Sequence, residues 1–227
     1  MILNGTVWKE SIGFVKANMA EILRINFLYI FLIIFCNYLI ALGVLHFVDE
    51  RGAQNLIHAL LNVPFAAFFT KGIFEYYFRL KKGMATSAKL LVKGKNYAKD
   101  LGIYFFLVFI LGALYITPLF DLERKDWFEI SHIFVSFFIF IWFFVRTIFT
   151  ILIIIESNSN FGAAMVQSFR LTRNISIQIA FILLLLILIL LSGILLAGFG
   201  LLLTTGFFIA ASINIYLKCK ENHAQRT

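Results

Sequence analysis

The sequence predicts an all-α, polytopic membrane protein: six transmembrane helices arranged as three hairpins, with cytoplasmic segments lying at the membrane interface. Three observations carry that expectation. Six apolar stretches divide the 227 residues, at about 25–48, 56–78, 101–120, 132–155, 175–197 and 200–217. Each approaches or exceeds the ~20 apolar helical residues needed to cross a hydrocarbon core of about 30 Å. Lysine and arginine divide unequally between the two sides these spans define. With the N-terminus inside, fifteen non-span cations fall inside and three (Arg51, Arg124, Lys125) outside, the asymmetry of the positive-inside rule. Finally, 61% of the residues are hydrophobic and mean hydropathy is +0.92, beyond an ordinary soluble domain.

Helices follow from the medium, because unpaired backbone in lipid leaves only helices and closed barrels as solutions. Long runs without alternation, such as Phe181 to Leu191, exclude the barrel pattern. The first stretch is too long for a signal peptide and no small-residue cleavage site follows it, so it is read as a span. The second is the least regular, carrying Asn62, Pro64, Lys71 and Glu75, which admits a kinked or re-entrant course. The third and fourth are separated by an acidic outer loop. From Asn174 to Leu217 the chain has 44 residues without a charge. One helix of that length would run about 66 Å, twice the membrane. The run must fold back, and Gly198-Phe199-Gly200 is the expected turn, making spans five and six a tight hairpin. Six spans use nearly all of residues 1–227, so one membrane domain is expected.

Each hairpin is preceded by a similar cytoplasmic segment: Ser11–Asn18, Ser87–Asn96 and Ser168–Asn174. Small, apolar and basic residues mix in each, an Asn follows, and then a span. In the last, Ser159-Asn160 suits a helix cap. Phe161, Met165 and Phe169 then repeat every four residues beside Arg170 and Arg173, which fits a helix lying in the inner interface. Arg170 and Arg173 are the candidate lipid-headgroup contacts.

The run Asn160–Asn174, followed by two long apolar spans, resembles the region before the last hairpin in the YciC-type family of bacterial inner-membrane proteins. It is also similar to segments in the membrane domain of glycerophosphoryl diester phosphodiesterases. Gly13–Asn18 and Lys82-Gly83 add to the likeness. The resemblance implies a polytopic protein of the bacterial cytoplasmic membrane and supplies no catalytic residues. The short first outer loop and the 28 phenylalanines depart from the family's pattern. The phosphodiesterase chemistry belongs to a soluble domain that has no counterpart in these residues.

Charges inside apolar spans are costly and tend to pair or face the bundle interior. Lys71, Glu75 and Arg79 fall at i, i+4 and i+8, one stripe of a helix, and Arg146 lies in the fourth span. Lys71, Glu75 and Arg146 form the candidate polar cluster. It is either a pocket for an anionic headgroup or solute, or a structural Glu75–Arg146 or Glu75–Lys71 pair with the long cations reaching toward the inner surface. On the outer side, Asp49, Glu50, Asp121, Glu123, Asp126 and Glu129 accompany His46, His58 and His132 without metal-ligand spacing. Zinc-protease, nucleophile-elbow and phosphate-loop motifs are missing, and neither a metal nor a cofactor is called for. Cys36 and Cys219 sit at opposite ends of the chain, one within the membrane and one on the reducing side, so a disulfide is not expected. Gly206 and Ala210, four apart on the last span, allow two helices to approach closely.

The net charge of +8 would suggest nucleic acid in a soluble protein. Here it lies beside spans, where anionic lipid headgroups are the nearer partner. The sequence therefore points to a non-enzymatic, multi-pass protein of the bacterial cytoplasmic membrane with both termini cytoplasmic. Its expected partners are membrane lipids, anionic ones included, or another envelope protein that it organises or assists, and not nucleic acid. The competing reading is a small transporter or channel subunit built on Lys71, Glu75 and Arg146. A transporter requires that cluster to meet water, and a structural pair requires it to be dry.

Overall fold

A computed structural model describes residues 5–47, 51–91, 127–157, 159–173, 175–195 and 199–225. In chain order these form α1 (Thr6–Ala17), α2 (Met19–Phe47), α3 (Arg51–Lys81), a 3-10 turn (Ala88–Leu91), α4 (Trp127–Thr147), α5 (Thr150–Ser157), α6 (Phe161–Thr172), α7 (Ser176–Leu195) and α8 (Phe199–Ala224). No strand occurs among the described residues, and the fold is all-α as the sequence predicts. Among the described residues, three segments are long and apolar enough to cross a membrane: Met19–His46, Ser176–Gly193 and Gly200–Ala224. They coincide with the first, fifth and sixth predicted spans. The predicted third span, 101–120, lies outside the described residues, as do Asp49, Glu50, Asp121, Glu123, Asp126 and residues 92–100.

Two antiparallel pairs organise the bundle. Helices α2 and α3 pack along one another, as do α7 and α8, while α8 also touches α1, α2 and α3. The uncharged run is thus divided into two helices, with residues 196–198 between them. Close approach comes from small residues. A methyl group added at Gly206 would stand 2.7 Å from Ile22 and 2.9 Å from the Tyr77 hydroxyl, so α2, α3 and α8 meet where a side chain would not fit. Ala210, 2% exposed, continues that seam. Deep in it, Tyr77 Oη donates to Asn26 Oδ1, and Asn26 Nδ2 donates to the Leu202 carbonyl at 2.6 Å. A buried amide with both ends bonded satisfies the demand that low-dielectric surroundings make on polar groups.

Helix α3 ends on Gly83, whose φ of 65° is open to glycine at little cost. Met84 N bonds the Arg79 carbonyl and Gly83 N bonds that of Leu80, the Schellman pattern. The chain then turns back and lays its 3-10 turn on α3 at Gly72. A Cβ there would fall 2.6 Å from Leu91 Cα. Leu90 and Leu91 are buried by that contact.

The predicted fourth span, 132–155, is two helices rather than one. Helix α4 stops at Thr147, and α5 begins at Thr150 with a buried face from Thr150 to Ile154. Thr147 Oγ1 bonds back to the carbonyls of Phe143 and Phe144, a competition with helical bonding that bends or ends helices. Helix α5 packs against α6 and α3.

Of the three similar segments, the first and last form twelve-residue helices, α1 and α6, each followed at once by a long helix. Each carries a buried serine: Ser11 Oγ bonds the Val7 carbonyl and accepts from Asn214, and Ser168 Oγ bonds the Arg146 carbonyl. The middle segment differs. Ser87 accepts from the Lys89 amide at the start of the 3-10 turn, and its remainder is outside the described residues. Helix α1, α5, α6 and the C-terminal ends of α3 and α8 gather at one end of the bundle. Lys82, Lys218, Lys220, Arg170 and Arg173 make that end basic.

Candidate functional site

The polar stripe on α3 closes on itself. Lys71 Nζ lies 3.3 Å from Glu75 Oε2, and Arg79 Nη2 lies 2.8 Å from Glu75 Oε1. Arg79 Nε adds a second bond to the same oxygen at 3.1 Å. The Lys71 side chain is 1% exposed and that of Glu75 4%, against 31% for Arg79. The ladder therefore runs from a dry end at Lys71 to a wet one at Arg79. Of the two pairs considered for Glu75, the Lys71 pair forms, extended by Arg79.

Arg146 stands elsewhere. It occupies the last turn of α4, where the interruption at 148–149 removes it from the helix interior expected for it. Its guanidinium rests 5.0 Å from the Phe169 ring centre and 5.8 Å from that of Trp142, within the range of cation–π attraction. Among the described residues one polar contact reaches the side chain, a long 3.4 Å bond from Nη1 to Ser176 Oγ, while Nε is buried without a partner there. Arg146 thus groups with α6 and α7, not with Lys71 and Glu75.

Helix α6 supplies the rest. Asn160 caps it, its Oδ1 accepting from Ala163 N at 2.9 Å, as Ser159-Asn160 led one to expect. The face buried against the bundle is Ala164, Ser168, Leu171 and Thr172. The Phe161, Met165 and Phe169 stripe lies half-buried on its flank. That placement leaves Arg170 and Arg173 exposed. A cleft of about 420 Å³ opens there, lined by Arg146, Met165, Val166, Phe169, Arg170 and Arg173. The two candidate headgroup contacts and the fourth-span arginine, read apart in the sequence, share one cavity. Among the described residues no carboxylate lies within ion-pair distance of any of the three. Arg170 also borders a second cleft, of about 690 Å³, with Gln167, Lys220 and His223.

Glu156 is the acidic centre at the basic end. Lys220 Nζ approaches it at 2.8 Å and Lys82 Nζ at 3.3 Å, and the Tyr216 hydroxyl donates to it. Burial alone would raise its carboxyl, but the hydrogen bonds from Lys220 and Tyr216 and the Lys220 charge outweigh burial and hold it below the usual carboxylate range. Glu156, Asn26 and Gly72 were not singled out from the sequence. Asn26 alone gave a signal, as a polar residue within an apolar span. Cys36 and Cys219 are both free, and Cys219 is buried. No group of three metal-ligating side chains occurs among the described residues.

Comparison with family models, with curated proteins and with solved structures finds no match for the chain.

Proposed function

We propose that this chain is a six-span, non-enzymatic protein of the bacterial cytoplasmic membrane, with both termini cytoplasmic, that works at the inner leaflet by holding anionic lipid beside an envelope partner. Kinship with the YciC-type family is part of the proposal and rests on Asn160–Asn174 and the segments resembling it. The observation that carries the reading is the arginine cleft. Arg170 and Arg173 at the end of α6 and Arg146 of α4 border one cleft, with no carboxylate in ion-pair distance among the described residues, and α6 has an apolar flank that suits a membrane surface. The dry Lys71–Glu75 pair favours this over a transporter, since a conduction path would bring water to those charges.

The test is extraction of the full chain from bacterial membranes in a polymer that keeps its surrounding lipid. Several-fold enrichment of anionic phospholipid over the bulk bilayer is expected. In the same preparation, Lys71→Cys should resist a water-soluble thiol reagent. Lipid of bulk composition together with rapid modification at position 71 would put the transporter reading ahead.

A further inference from the structure

We infer that the α4–α6 corner is a discrete binding site for one anionic phospholipid, its phosphate seated among Arg146, Arg170 and Arg173 and one acyl chain lying along α4. The inference deepens the proposed function and rests on it, adding the site, the ligand class and the residues that recognise it.

The phosphate position follows from unmet bonding. Buried polar nitrogens are nearly always hydrogen-bonded, and Arg146 Nε is buried without a partner. Its guanidinium is steered by Trp142, Phe169 and Ser176, so its free donors are fixed in orientation rather than sampling many rotamers. Arg170 and Arg173 reach the same cleft from α6. Three cations side by side repel one another unless an anion sits between them. The planar fork of each guanidinium suits phosphate oxygens.

The acyl position follows from helical spacing. Phe134, Phe138, Trp142 and Arg146 recur every four residues on α4, one continuous stripe. The first three are 47%, 67% and 55% exposed, an apolar track that ends at the arginine. Twelve residues at 1.5 Å give about 18 Å of track, slightly more than half of a hydrocarbon core of about 30 Å. A lipid of the inner leaflet has that span from headgroup to chain end. Met165, Val166 and Phe169 complete the apolar wall around the headgroup. A soluble phosphate shares the headgroup chemistry but would leave this track unused.

The experiment is native mass spectrometry of the full chain in detergent, titrated with phosphatidylglycerol or with phosphatidylcholine of the same acyl chains. The wild type should retain one phosphatidylglycerol in preference to phosphatidylcholine. Arg170→Gln and Arg173→Gln lie on exposed positions and should leave the unfolding temperature unchanged. Each should weaken that preference roughly fivefold, the equivalent of about 1 kcal/mol per charge near a membrane surface. Arg146→Lys, which keeps the charge and loses the fork, should weaken it as well. Lys9→Gln with Lys16→Gln, exposed cations on α1, should not. If the preference survives all three arginine changes, or falls equally with the α1 pair, the site is overturned while the lipid-holding reading stands. A wild type without preference overturns both. If glycerol 3-phosphate at millimolar concentration binds the lipid-free protein as tightly and is lost with the same arginines, the ligand is a soluble phosphate and the lipid assignment fails.

Discussion

A carboxylate in an apolar helix needs its counter-charges close by, and Glu75 takes them from one turn on either side. Lys71 and Arg79 both approach the same carboxyl group, so two cations share it. Removing one partner of a buried pair costs about 3–5 kcal/mol, because the remaining charge is left in a low dielectric. Glu75→Gln should therefore lower thermal stability in detergent markedly, and Lys71→Gln added to it should restore a large part. Arg79→Gln should matter far less, since that side chain is already 31% exposed. Unchanged melting in Glu75→Gln would remove the structural role. This ladder was legible in the sequence because its i, i+4 spacing is local. Arg146 was not, because its neighbours are decided by where α4 stops and by how α6 folds back over it. Gly72 was hidden for the same reason: only the return of the 3-10 turn makes its missing side chain necessary.

Among the elements, the short ones hold the basic end together. Helix α5 is eight residues, too short to persist alone in water, yet it ends in the carboxylate that joins α3 to α8. Glu156 meets Lys82, just past the end of α3, and both Tyr216 and Lys220 of α8. Its carboxyl is held below the usual range in the folded state. A depressed acid contributes stability above its unfolded value, near 4.3 for glutamate, and loses it as pH falls through the folded value. Glu156→Gln should thus destabilise at pH 7 by about 1–2 kcal/mol, a hydrogen-bonded charge discounted for two lysines that remain near half-exposed. The difference from wild type should shrink below about pH 4 as the native carboxyl protonates. Thermal unfolding of both proteins from pH 3 to 8 reads it directly, and a gap of constant size at every pH would contradict the ionic account. Hydropathy located the stretch from 132 to 155 but not its division. Apolar composition persists across the interruption, and the threonine bonding that ends α4 looks like any other polar residue until its partners are known.

At the scale of the whole molecule, charge partition and helix packing bear on orientation from independent directions. Sidedness was read from the count of lysines and arginines, which needs no structure. Packing then brings α1, α5, α6 and the ends of α3 and α8 together, so the segments counted on one side are neighbours in space. Residues 92–100 and 121–126 lie outside the described residues, and for them the sequence count stands alone. The two hairpins α2–α3 and α7–α8 were legible because short connections force antiparallel neighbours. Orientation itself has a direct test. In a background of Cys36→Ser and Cys219→Ser, single cysteines at Ser87 and Asp126 should label oppositely. Ser87 is exposed at the basic end, so its protection in intact cells would reflect the membrane rather than burial. An impermeant maleimide should reach position 126 before lysis and position 87 only after it. Labelling of 87 in intact cells, with 126 protected, would invert the topology. The arginine cleft would then face the outer leaflet, away from the anionic surface of the cytoplasmic side.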